Sequence, residues 1–227
     1  FHERDVQYVA RSLKLNPNQL SLSEYKGRTF LRHQEIILDK MGFKKFNPEI
    51  KSKLAAEADF LTSRQQKPRL VFMSLVDFLQ TNKIQVPNYN TFADIITDSL
   101  KNYENRLAQT INDQLSEEEM TLMDSLLDKD ETSGIDRYTL TALKTHNHSI
   151  QAGKIRENIQ NFEYLEKIFV KIYPVLLNLD LPHKVIKYYA EVVFRAQVFQ
   201  ISRRDKNRYL YLIAFIVNSF FELNDIL

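Results

Sequence analysis

SEYKGRTFLRHQEIILDKMGFKKF, residues 23–46, decides how the chain reads. Between Arg28 and Met41 the apolar residues Phe30, Leu31, Ile37, Leu38 and Met41 recur at helical spacing, and Gly42 stands where a left-handed C-terminal cap belongs. The pattern predicts an amphipathic helix that stops at the glycine. Arg28, Arg32 and His33 fall in its first turns, where the positive end of the peptide dipole favours acidic side chains instead. Cations in that place point to an anionic partner. Phosphate fits, because free backbone N–H groups and guanidinium forks converge there. The plainer alternative is a solvated helix face on which Arg32 pairs with Glu35.

Working outward, His2 to Lys14 reads as a helix with Val6, Val9, Ala10 and Leu13 on one face, ended by Asn16 and Pro17. Two helices joined by an extended turn, the second with a basic leading end, have the layout of a helix-turn-helix. Asn47 and Pro48 start another helix, predicted to reach about Ser63 with Ile50, Leu54, Ala58 and Leu61 inward. Gln65 to Pro68 breaks the pattern and marks a boundary.

Beyond it, Leu70 to Leu79 is apolar on several faces and predicts a central helix. KIQVPNYN, residues 83–90, is a turn, and Thr91 is placed to cap a long helix through the N–H of Asp94. Phe92, Ile95, Ile96, Tyr103, Leu107 and Ile111 form that helix's inward stripe. Asn88, Tyr89, Asn90 and Thr91 stand at its tip, where Asn suits adenine edges and Tyr or Thr suits phosphate. A capped interhelical turn explains the same residues, and Asp94 and Asp98 repel phosphate nearby.

Ser116 and Glu119 form a capping box for a helix reaching about Asp128, and Asp136 to Leu143 a shorter one. The acidic loop at 128–136 lacks the Gly and Glu of a calcium loop at its sixth and twelfth places, which hold Ser133 and Thr139. His146 and His148, two apart, have no third ligand nearby in the sequence. From Ile150 longer helices follow. One carries Ile155, Ile159, Phe162, Phe169 and Ile172 and kinks or ends at Pro174; the next runs from Pro182 to about Phe199. The last helix, from about Arg208, is apolar on both sides, and Arg203, Arg204, Lys206 and Arg208 again load a helix entry with cations. A solvated turn accounts for these four, with backbone phosphate contact the alternative.

Four glycines, six prolines and no tryptophan among 227 residues favour helices over tight hairpins. The expectation is an all-α fold of consecutive small helix-turn-helix-like domains followed by longer packed helices. They divide as 1–66, a first helical DNA-binding domain; 67–146, a second helix-turn-helix-like domain; and 147–227, a helical linker or a third DNA-binding or dimerisation region. Zero cysteines exclude a disulfide framework and thiolate zinc sites. No signal-peptide core occupies residues 1–20, and the apolar run Tyr209 to Val217 falls short of the ~20 residues of a bilayer crossing. The opening on Phe1 and the close on Leu227 look like a segment cut from a longer protein. Residues 1–69 hold 14 Lys and Arg against 8 Asp and Glu, and residues 70–150 hold 6 against 13. Polyanion contact therefore belongs at the front.

YVAR at 8–11, LSEY at 22–25, GRT at 27–29, LRHQEII at 31–37 and GFKKF at 42–46 resemble the N-terminal region of the Tn-three family of replicative bacterial transposases. The likeness continues through KPRLVFMSLVDFL at 67–79 and the stretch 83–100, and less specifically into RYLYLIAF at 208–215. It implies recognition of the transposon's terminal inverted repeats in double-stranded DNA, in the bacterial cytoplasm at the nucleoid. It also implies an aspartate and glutamate triad holding magnesium on an RNase H-like fold far downstream, so that this segment carries no catalytic residue and no cofactor of its own. No Gly-rich phosphate loop, HExxH, GxSxG or CxxC pattern appears in the chain.

Carried over residue by residue, the likeness marks Tyr25, Arg28, Thr29, Arg32 and His33 in the first lobe, and Arg69, Tyr89 and Thr91 in the second. Arg28 and Arg32 are assigned to phosphate or a guanine edge, His33 and Thr29 to added hydrogen bonds. Lys26, Lys44 and Lys45 join them along the flanking backbone; Asn88, Asn90 and Thr91 go to base or sugar, and Arg203 and Arg204 complete the DNA-binding set. Gln34 and Phe30 depart from the commoner family wording, at places where a basic and a polar residue are usual. The competing class is an all-helical interaction or oligomerisation scaffold, favoured by the acidic middle and the apolar last helix. A freestanding transcription regulator is a third reading. Homodimerisation belongs to the full-length protein.

Overall fold

The computed structural model describes residues 3–12, 14, 16, 27–64, 67–129, 137–145, 151–179 and 181–227. Among them the chain is all-α: eleven α-helices, two 3₁₀ turns and no strand beyond isolated bridges. It divides into two compact units, one of Phe1–Pro48 with Val76–Pro87, the other of Glu49–Leu75 with Asn88–Leu227.

The first unit contains α1 (Glu3–Ser12), α2 (Arg28–Met41) and the second half of α4 (Pro68–Thr81). Gly42 caps α2 with φ 69° and ψ 27°, and its N–H and that of Phe43 reach back to the carbonyls of Asp39 and Leu38. After α4 the chain turns through Lys83, itself left-handed at φ 50°. There Lys44 donates its N–H to the carbonyl of Lys83 at 2.7 Å, and Gln85 donates to that of Lys44 at 2.9 Å, making a parallel bridge between Lys44 and Ile84. Leu79 and Ile84 are buried beneath it. The apolar side of α2 departs from the expected burial: Phe30, Leu31, Ile37 and Met41 are 37–63 % exposed and only Leu38 is half-buried. A unit this small covers a smaller share of its own surface than a larger domain does.

In the second unit, α3 (Pro48–Thr62) opens with Pro at its first position and buries Ile50, Leu54 and Ala58, as its spacing predicts, while Leu61 is half-buried. The first half of α4 buries Val71 and Leu75 and half-buries Phe72, while Leu70 and Met73 face water. Helix α5 (Tyr89–Gln114) is capped by Asn88, not Thr91: the Asn88 Oδ1 accepts the Thr91 N–H at 2.9 Å, because Asn88 holds the extended backbone a cap needs. The capping box of α6 (Glu117–Asp124) forms as read, with Ser116 and Glu119 bonded reciprocally. A 3₁₀ turn over Ser125–Leu127 and α7 (Thr139–Leu143) follow.

Helix α11 (Arg208–Ile226) is the centre of this unit. Every residue from Tyr209 to Ser219 is buried, with α9 (His183–Arg195), α8 (Ala152–Leu179) and α5 packed around it. This single core draws on residues either side of position 147, from Leu107 to Leu223. The stretch Asp205–Ile226 is long and apolar enough by composition to cross a bilayer, which corrects the length estimate from Tyr209–Val217. Two thirds of that window is nonetheless buried inside the protein, so packing against the neighbouring helices accounts for its composition.

Helix α8 runs through Pro174 to Leu179 instead of ending there. Pro174 is on the solvent side, and the carbonyl it leaves without a donor belongs to Val170, itself 64 % exposed, so water can replace the missing bond. Its inward stripe is Asn158, Leu165, Ile168, Ile172 and Val175, rotated from the expected one; Ile155 and Ile159 are about two-fifths exposed. The expected helix from Pro182 to Phe199 is two pieces. It stops at Arg195, and Gln197 with Gln200 forms a capping box that starts α10 (Val198–Ser202).

Candidate nucleic-acid interface

Among the described residues the leading end of α2 has no side-chain cap, since Gly27 stands at that place, and no acid in its first turn. Arg28 and Arg32 are exposed there, and among the described residues neither has an ion-pair or hydrogen-bond partner. Glu35, the acid that would have neutralised Arg32, pairs instead with Lys45, Nζ to Oε1 at 2.6 Å, and that ammonium holds the Glu35 carboxyl below its usual range. The ion pair that a merely solvated face predicts is absent. His33 is exposed on the same helix; Thr29 lies in its first turn.

At the other end of α2, Lys44 and Lys45 follow the Gly42 cap, both exposed, with Lys44 fixed by its backbone bridge to the Lys83 turn. Tyr25 and Lys26 lie outside the described residues. Lys83 was not among the residues singled out from sequence. Thirty-nine positions separate it from Lys44, and only the bridge brings them together.

In the second unit, Arg69 at the start of α4 and Tyr89 at the start of α5 line one groove with Pro68, Phe72, Ala93, Ile96 and Thr97. Tyr89 is 75 % exposed, and Phe72 packs against Phe92 at 5.1 Å to form the wall behind it. Asn88 and Thr91 occupy each other: Asn88 Oδ1 accepts from both the Thr91 N–H and its hydroxyl at 2.9 Å. Asn90 is exposed, and so are Asp94 and Asp98. The groove offers one cation and one flat ring, with acidic residues close behind.

The basic turn before α11 is built differently. Arg208 donates two N–H groups to the two carboxylate oxygens of Asp124 at 2.8 Å each and a third contact to the Tyr209 hydroxyl at 3.0 Å. Arg204 donates to the Tyr211 hydroxyl at 2.8 Å, lies over that ring at 4.1 Å and stands 3.8 Å from Glu104. Arg203 is exposed, 5.4 Å over the Phe199 ring. Two of these guanidinium groups are thus consumed inside the protein. Among the described residues no three His, Asp or Glu stand close enough to hold a metal ion.

Residues 1–98 match the family described as Domain of unknown function (DUF4158). This is a domain found at the N-terminus of Tn-three family transposases. The matched stretch contains α2, the Lys44–Ile84 bridge and the Arg69–Tyr89 groove; Arg203 and Arg204 lie outside it. No curated protein matches the chain.

Proposed function

We propose that the chain is the DNA-binding N-terminal portion of a Tn-three family transposase and recognises the terminal inverted repeats of its transposon for replicative transposition. The observation that carries this reading is the leading end of α2: two exposed arginines without partners among the described residues, at a terminus with no acid in its first turn and no side-chain cap, inside the stretch that matches a domain of unknown function found at the N-terminus of such transposases. Phosphate suits that end, since the helix dipole and the guanidinium forks favour the same ligand. Arg28 and Arg32 take phosphate or a guanine edge and His33 adds a hydrogen bond. In the second unit Arg69 and Tyr89 supply a second contact, a cation beside an exposed ring. Arg204, committed to Tyr211 and Glu104, takes no part. The partner is duplex DNA, and in this reading bond breakage belongs to the downstream part of the parent protein.

The test is a gel shift with the whole chain against duplexes cut from both ends of the transposon and against shuffled duplexes of equal composition. Preference for the end duplexes at moderate salt supports the reading. Equal or absent binding returns the chain to the scaffold class.

A further inference from the structure

Resting on that reading, we propose that α2 lies across a major groove with its two ends on opposite phosphate strands, and that Lys40, Lys44 and Lys83 form the second anchor. Arg28, Arg32, Ile36 and Lys40 occupy one i, i+4 row of the helix, and all four are exposed. Lys44 follows the Gly42 cap outside the helix, and the bridge brings the Lys83 backbone beside it, Lys44 N–H to Lys83 carbonyl at 2.7 Å. Among the described residues Lys40, Lys44 and Lys83 have no acidic partner. Lys44 and Lys83 are both exposed, and Lys83 holds a left-handed conformation at φ 50°.

The dimensions favour a crossing. Fourteen helical residues span about 21 Å at ~1.5 Å each, and the major groove between phosphate strands is about 12 Å wide. Cations at both ends of α2 therefore reach the two strands that flank one groove. The middle of the row is Ile36, 42 % exposed, where a helix running along a single strand would carry a third cation. An apolar side chain over base edges suits the methyl group of thymine. Of the two acids on α2, Glu35 is neutralised by Lys45, and the exposed Asp39 is next to Lys40 in the sequence.

The experiment measures the salt dependence of binding to the end duplex for three proteins: the wild-type chain, Arg28→Ala/Arg32→Ala, and Lys40→Ala/Lys44→Ala/Lys83→Ala, each checked by circular dichroism. Each lost phosphate contact lowers the log-log slope by roughly 0.9, so the triple variant loses up to ~2.7. Neutral methylphosphonates placed on one strand should abolish the effect of the arginine variant, and placed on the other strand the effect of the lysine variant. Sensitivity of both variants to the same strand overturns the crossing. A lysine variant with the wild-type slope, beside an arginine variant whose slope falls, overturns the second anchor and leaves DNA binding standing. A wild-type chain with no salt-dependent duplex binding overturns both. Replacing thymine by uracil in the duplex should weaken the wild-type chain and leave Ile36→Ala unaffected; equal weakening of the two removes the methyl contact.

Discussion

Replacing Arg208 by Ala should destabilise the second unit without touching DNA binding, and the size of the loss follows from its contacts. Arg208 makes two charge-assisted bonds to Asp124, one to the Asp205 carbonyl at 3.3 Å and one to the Tyr209 hydroxyl, which itself donates to Asp124 at 3.0 Å. The hydrogen bond to Asp124 keeps the Arg208 pKa above its ordinary value, so the guanidinium holds its charge. The side chains are 24 % and 37 % exposed, so water compensates in part. A bond to a charged group contributes about 1.5–3 kcal/mol when buried; discounting for solvent puts Arg208→Ala at about 2 kcal/mol. Asp124→Ala should cost about 3 kcal/mol, because it leaves a guanidinium that cannot deprotonate without its anionic partner. The double variant should cost clearly less than the two together, with a coupling of about 1.5 kcal/mol. Urea unfolding at pH 7 measures all four corners of the cycle. Additivity within about 0.5 kcal/mol would refute the claim that this basic turn is an internal clamp.

Gly42→Ala should cost about 1 kcal/mol: nothing lies within 4 Å of the added methyl, so the loss is that of holding a side chain at φ 69°, read from thermal unfolding. Alkali should unfold the second unit. Burial, reinforced by Glu104, raises the Tyr189 and Tyr211 phenol pKa above the ordinary 10.0. Ionisation is then easier in the unfolded chain, so this stability is full below pH 10 and drains away as pH climbs from there towards the folded values. Phenolate absorbance of the native protein should rise later than that of the urea-unfolded chain and together with loss of helix; a normal titration with the helices intact would contradict it.

The helices were legible wherever local chemistry settles them. The start of α2 after Gly27, its stop at Gly42 and the Ser116–Glu119 box each depend on a few adjacent residues, and each appears where the sequence puts it. Faces were less legible. Helix α8 is apolar around much of its circumference, so Ile155 and Leu165 compete for the inward side, and α11, nearly fifty residues further on, decides in favour of Leu165. The same distance problem hid the partners of the cations. Arg32 and Glu35 are a natural pair on paper, yet Lys45 takes the acid; Arg208 reads as a free surface charge until Asp124, 84 positions earlier, is seen beside it. Lys83 is an ordinary turn lysine in the sequence and becomes the neighbour of Lys44 only through a backbone bridge.

The most direct measurement is the slope of log affinity against log salt for the end duplex, taken for the wild-type chain, Arg28→Ala/Arg32→Ala and Arg208→Ala. If the α2 terminus holds phosphate, the first variant loses up to about 1.8 from the slope at unchanged stability, while the second keeps the wild-type slope and unfolds more easily. A slope that falls with Arg208 and ignores Arg28 and Arg32 would contradict the account.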